Sequence, residues 1–170
     1  MPGPTQLRYE VRRGASTTEA IVDWQVTDGA YRLRLQTRSP QGKPIEQLSE
    51  GGFDAAGLAP VRLADRSRGR GTQAANFDRD QARISFSGPR RSYALEPGTQ
   101  DRLSWMVQLS AIGAAGAVVD GAELALQVVG ARGASSRWRF GVDRAERLVS
   151  PLGTMQAWHL LREPEHLYDL

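Results

Sequence analysis

The chain has 170 residues and no cysteine. Disulfides, thiolate metal sites and cysteine nucleophiles are therefore excluded. Lysine is almost missing, with Lys43 alone against 21 arginines. Histidine is scarce too, limited to His159 and His166. No apolar run approaches the roughly 18 residues that a membrane-spanning helix needs. The opening Met1-Pro2-Gly3-Pro4-Thr5 lacks the basic stretch and apolar core of a signal peptide. What remains is 40% hydrophobic and 24% charged, with a mean hydropathy of −0.44. That is the composition of one folded domain, large enough to bury a core and unlike a disordered chain.

The hydrophobic pattern has period two. Leu7, Tyr9 and Val11 alternate with Arg8, Glu10 and Arg12. Ala20, Val22, Trp24 and Val26 alternate with polar residues, as do Tyr31, Leu33 and Leu35. Strands are expected near 5–13, 17–27 and 30–38, the last two joined by Asp28-Gly29, a strong hairpin signal. The pattern continues through Ile45, breaks at Gly51-Gly52, and resumes at Val61-Leu63, Ala75-Phe77, Ile84-Phe86 and Tyr93-Leu95. It returns at Leu124–Val128 and Trp138–Val142, and again around the turn Pro151-Leu152-Gly153. Many short strands at this spacing define a mainly β domain, a single curved antiparallel sheet or a half-open barrel.

One segment departs from period two. Asp101 to Ala115 reads as a helix with a carboxylate at its N-terminus, where free amides and the helix dipole favour it. At 100° per residue, Leu103, Met106 and Val107 form one stripe, and Trp105, Leu109 and Ile112 another. Together they span roughly 220°, against the roughly 100° of a simple surface helix. The helix, about 101–115, is therefore expected to be covered on two sides and to pack on the concave face of the sheet. Ser104, Gln108 and Ala111 hold the remaining arc.

Motifs for chemistry are sparse. The two histidines lie seven apart across Arg162-Glu163-Pro164-Glu165, without the third ligand that a zinc site needs. There is no G-x-S-x-G elbow and no phosphate loop; Arg68-Gly69-Arg70-Gly71 is too short. Asp101, Asp120, Glu123 and Glu146 are acids that could converge in space as in a hydrolase or carbohydrate-active enzyme, but any acid could. No catalytic residue, metal or cofactor is assigned, and a non-enzymatic protein is expected. The arginine excess, with +3 net charge and a pI near 9.8, invites an anionic-polymer reading. Nucleic-acid sheets mix aromatic with basic side chains. Here Tyr31, Trp138 and Phe140 fall on the opposite parity from Arg32, Arg34, Arg137 and Arg139. The arginines thus mark the outside of a sheet, and no nucleic-acid partner is expected.

The order of short segments resembles the bacterial family known as domain of unknown function 3108, which is envelope-associated. Leu7-Arg8-Tyr9-Glu10-Val11, Trp24, Tyr31-Arg32-Leu33, Ser49-Glu50-Gly51 and Gly57-Leu58-Ala59-Pro60-Val61-Arg62 carry the first half of the likeness. Asn76-Phe77-Asp78, Ile84 to Phe86, Gly98-Thr99-Gln100-Asp101-Arg102-Leu103-Ser104, Phe140-Gly141-Val142, Glu146 and Pro151-Leu152-Gly153 carry the second. The resemblance implies a secreted protein of the Gram-negative periplasm, its signal peptide removed, with no assigned enzyme activity. It also implies a terminal hairpin beyond Tyr168-Asp169-Leu170, so residues 1–170 are expected as a single β-rich domain lacking that hairpin.

A curved sheet with an apolar helix on its concave side also looks like the half-open barrels of periplasmic lipoprotein carriers, an analogy of fold. A ligand cavity would be lined by Trp24, Leu33, Trp105, Met106, Trp138 and Phe140, unless these residues simply fill the core. The expected function is binding of a hydrophobic small molecule, a lipid or acyl chain, a lipoprotein or another partner protein.

Overall fold

The computed structural model describes residues 3–14, 16–38, 44–66, 71–151 and 153–162. The period-two segments become strands. Eight form an antiparallel meander in sequence order: β1 (Thr5–Arg13), β2 (Ser16–Thr27), β3 (Ala30–Arg38), β4 (Pro44–Asp54), β5 (Gly57–Arg66), β6 (Gln73–Asp78), β7 (Arg83–Phe86) and β8 (Tyr93–Ala94). Asp28 and Gly29 turn β2 into β3 with φ of +50° and +77°, as a type I′ hairpin requires. One face of the sheet is dry: Trp24, Tyr31, Leu33, Leu63, Phe77 and Ile84 are buried together. Arg32 and Arg34 point the other way.

The glycine pair does not break β4. The strand runs through it with a register shift between Glu50 and Gly51. A Cβ on Gly51 would overlap the Ala59 carbonyl and lie 2.9 Å from the Tyr31 ring. Glycine is there so that β4 can approach β5 and Tyr31 closely, with a bulge absorbing the mismatch.

The remaining strands make a second, smaller sheet that curls as a half-barrel. It contains β9 (Gln100–Asp101), β10 (Glu123–Val129), β11 (Ser135–Ser150) and β12 (Gly153–Arg162), in the order β12-β11-β10-β9. The β9–β10 pair is parallel and the others antiparallel. Between the two sheets lies α1 (Trp105–Ala114). Helical structure begins later than Asp101, which is extended in β9. Its buried carboxyl instead accepts the amides of Leu103 and Ser104, each at 2.7 Å, in the turn that leads into α1.

The two apolar stripes separate as their spacing implies. Met106 and Val107 pack with Leu103 on the core of the large sheet. Trp105 and Leu109 pack on Leu126, Val128 and Phe140 of the small one. Gln108, on the arc expected to be polar, is buried as well. Its amide clamps the β4–β5 turn, accepting from Leu58 N and donating to Ala56 O, both at 2.8 Å. The helix is thus held by two cores and one polar clamp, although Gln108 is its one fully buried residue.

Gly57 sits under that clamp with φ +111°, and a Cβ there would collide with the Gln108 amide. Gly57→Ala is expected to lower the unfolding free energy by about 1–3 kcal/mol through backbone strain and loss of the clamp. Denaturant titration of the variant beside Gln108→Leu tests this, because the two losses share one contact and should be less than additive.

Candidate functional site

Alternation on two neighbouring strands places four side chains on one side of the small sheet. Trp138 and Phe140 come from β11, Trp158 and Leu160 from β12, and α1 adds Trp105 and Leu109. These residues, with His159 and Arg162, line an open groove of about 570 Å³. Trp105 stacks on Phe140 with ring centroids 5.5 Å apart and meets Trp138 edge-on at 5.4 Å. The Arg162 guanidinium lies 4.2 Å from the centre of the Trp138 ring, and that of Arg102 lies 5.8 Å away. Both are cation–π distances.

A β-bulge extends this face along the hairpin. Val142 pairs with Leu160 and Arg144 with His159, so Asp143 is the extra residue on β11. Its carboxylate turns to His159 Nδ1 at 2.9 Å. Beyond the bulge the pairs Ala145–Trp158, Arg147–Gln156 and Val149–Thr154 continue the groove face. By alternation Arg144, Glu146 and His159 belong to the opposite face, although His159 also reaches the groove's lining. Between β10 and β12 the described groove face therefore carries Arg147 and Arg162 and no acid.

The six residues expected to line a ligand site divide between the two cores. Trp105, Trp138 and Phe140 meet in the groove. Trp24 and Leu33 lie in the packed core of the large sheet, where Trp24 stacks on Tyr31 at 5.4 Å, and Met106 packs there from the far side of α1. Trp158, Leu160 and Arg162 are not singled out from the sequence, although they share one parity after the Pro151-Leu152-Gly153 turn, and Leu109 is placed there only on an apolar stripe of the helix. His166 lies outside the described residues. Among the described residues no cluster of three or more His, Asp or Glu is placed to hold a metal.

Three of the outer arginines stand near acids on neighbouring strands. Arg34 bonds Glu46 at 2.7 Å, Arg139 approaches Glu123 to 3.2 Å, and Arg32 faces Glu50 at 3.7 Å. These are cross-strand partners on solvated faces, each of small energetic weight. Of the acids considered for catalysis, Glu123 belongs to such a pair, Glu146 pairs with Arg144 along the same strand, and Asp120 is exposed.

Asp101 is different, being fully buried. Besides the two amides, its carboxyl receives the Ser49 hydroxyl in a short bond, and Ser49 Oγ lies 3.0 Å from the Tyr31 hydroxyl. The Asp101 amide in turn donates to Ser104 Oγ at 2.9 Å. Burial pushes the Asp101 carboxyl above its ordinary value, and its hydrogen bonds only partly offset that. Burial and the neighbouring Asp101 charge raise Tyr31 far enough to keep it a neutral phenol. The network ties β3, β4 and β9 to the entrance of α1, and being enclosed it presents no face to a substrate.

Fold and site together define a two-sheet β protein with an aromatic, arginine-flanked groove. Residues 8–168 match the family described as protein of unknown function (DUF3108), and the chain belongs to that family. No curated protein and no solved structure matches it. Among the described residues no helix is long and apolar enough to cross a membrane.

The raised Asp101 carboxyl makes stability depend on pH with a definite sign. A group whose folded value lies above its unfolded value stabilises fully below the unfolded value, 3.8, and loses that contribution as pH rises through the folded one. Relative to Asp101→Asn, which keeps the shape without the charge, the native chain should lose stability as pH climbs above that range. Paired denaturation curves from acid to neutral pH check this. A gap that moves the other way would mean that the hydrogen-bonded carboxylate is the favoured native form.

Proposed function

We propose that this protein is a non-enzymatic carrier or binding protein for an anionic amphiphile, a fatty acid or lipid, held in the groove between α1 and the small sheet. One observation carries the reading. An open aromatic trough of about 570 Å³ has guanidinium groups on its Trp138 wall and, among the described residues, no acid on its sheet face. Aromatic and aliphatic walls suit an alkyl chain, and arginines suit a carboxylate or phosphate head. The volume falls in the range of small-ligand sites. The family resemblance of the sequence leads us to propose that it acts in the periplasm of a Gram-negative bacterium. Polymer binding through the outer arginines is the weaker reading, because those arginines face acids across the strands.

Intrinsic fluorescence tests the groove. Three of the four tryptophans, Trp105, Trp138 and Trp158, line it, and Trp24 is buried elsewhere. A bromine-substituted stearate should quench the groove tryptophans in a saturable way, whereas the corresponding alcohol should bind more weakly. Arg162→Gln should weaken the acid by roughly tenfold and leave the alcohol nearly unchanged. Absence of saturable quenching with either compound overturns the reading.

A further inference from the structure

Beyond the groove, β11 and β12 continue as a bare two-stranded ribbon. None of its described residues from Asp143 to Gln156 is buried. Such a ribbon gains little from its own contacts in water. Its end is nevertheless apolar: Val149 is 76% exposed, Leu148 44% and Met155 42%. Leu148 pairs with Met155 on one face, and Val149 with Thr154 on the other. Apolar side chains thus project from both faces of the tip. A protein pocket would cover one face, but an apolar medium closes over both.

Charge is arranged to match. Arg147 lies just behind the tip on the groove face, which carries no acid between β10 and β12 among the described residues. On the other face Arg144 is engaged by Asp143 and Glu146. At about 3.3 Å per residue, Leu148 lies roughly 7 Å from Ser150 at the turn, within the 5–10 Å depth of interfacial insertion. Arg147 then comes roughly 10 Å back, at the level of the headgroups. The turn's polar Ser150 Oγ is satisfied internally, bonding Gly153 O at 3.2 Å.

We infer that the β11–β12 tip docks on an anionic lipid bilayer, Leu148, Val149 and Met155 entering its surface and Arg147 meeting the headgroups. The inserted tip shares its groove face with Trp158 and Phe140, so a lipid chain leaving the bilayer has one continuous surface to follow. That last step rests on the proposed groove function; the docking does not.

The absence of cysteine makes the test direct. Val149→Cys and, on an exposed loop, Glu96→Cys each offer one thiol for an environment-sensitive fluorophore. With vesicles of phosphatidylcholine and phosphatidylglycerol, the label at 149 should shift to the blue and the label at 96 should not. Arg147→Glu should lower partition roughly fivefold or more. The combined Leu148→Ser, Val149→Ser and Met155→Ser variant, all at exposed positions, should lower it roughly tenfold or more with circular dichroism unchanged. No shift, or equal shifts at both sites, overturns the inference. So does a shift without vesicles that grows with protein concentration, which would assign the tip to a second copy of the chain. Trp138→Ala should dock normally while losing the quenching by brominated stearate, so failure of the groove and failure of the tip are read apart.

Discussion

The Asp101 carboxyl gathers the amides of Leu103 and Ser104 and the hydroxyl of Ser49 into one dry cluster, with Tyr31 behind it. Removing a carboxyl from water is costly, and an arrangement with fewer donors would not hold it. Its geometry therefore constrains what surrounds it. It fixes where α1 begins, and it joins β3 and β4 of the large sheet to β9 of the small one. Gln100 adds a second link beside it, donating to Leu58 O at 2.8 Å. At another point of the interface, Tyr93 reaches Gly133 O at 3.0 Å. These ties set where α1 starts, and Trp105 and Leu109 then pack on the small sheet beside the groove.

The helix divides the interior. On one side Trp24, Tyr31 and Leu33 pack with Leu63 and Ile84 into a filled core. On the other, Trp105 and Leu109 meet a curled sheet whose outer hairpin, among the described residues, is not buried. Close packing and an open trough thus occur on the two sides of one short helix. Whether the interior is full or hollow has two answers, one for each side of α1.

Alternation made the first three strands, the Asp28-Gly29 hairpin and the turn before β12 legible from the sequence, because each is a local rule. The double stripe of α1 was legible for the same reason. The pairing of Val128 with Gln100 was not, since it joins distant residues through parallel hydrogen bonds that leave no local period. Gly51-Gly52 looked like a break because glycine weakens strands, and the reason it is needed lies in the nearby Tyr31 ring. Gln108 looked solvated because a polar residue on a helix usually is, and its partners lie on the β4–β5 turn. Trp24 and Trp138 alternate identically in sequence. Only tertiary structure separates the one that fills a core from the one that lines a trough.

The bulge at Asp143 acts on the sequence much as a frame does on a message. Before it, even-numbered residues of β11 face the groove; after it, odd-numbered ones do. The added residue puts Ala145, Arg147 and Val149 beside Trp158, and sends Arg144 and Glu146 to the back. Were Asp143 taken into regular alternation rather than set aside as a bulge, every later side chain on the strand would change sides, so that a glutamate would stand where an arginine now does. The sign of the trough's outer half is thus set by how the strand takes up one extra residue as much as by the kinds of residue along it.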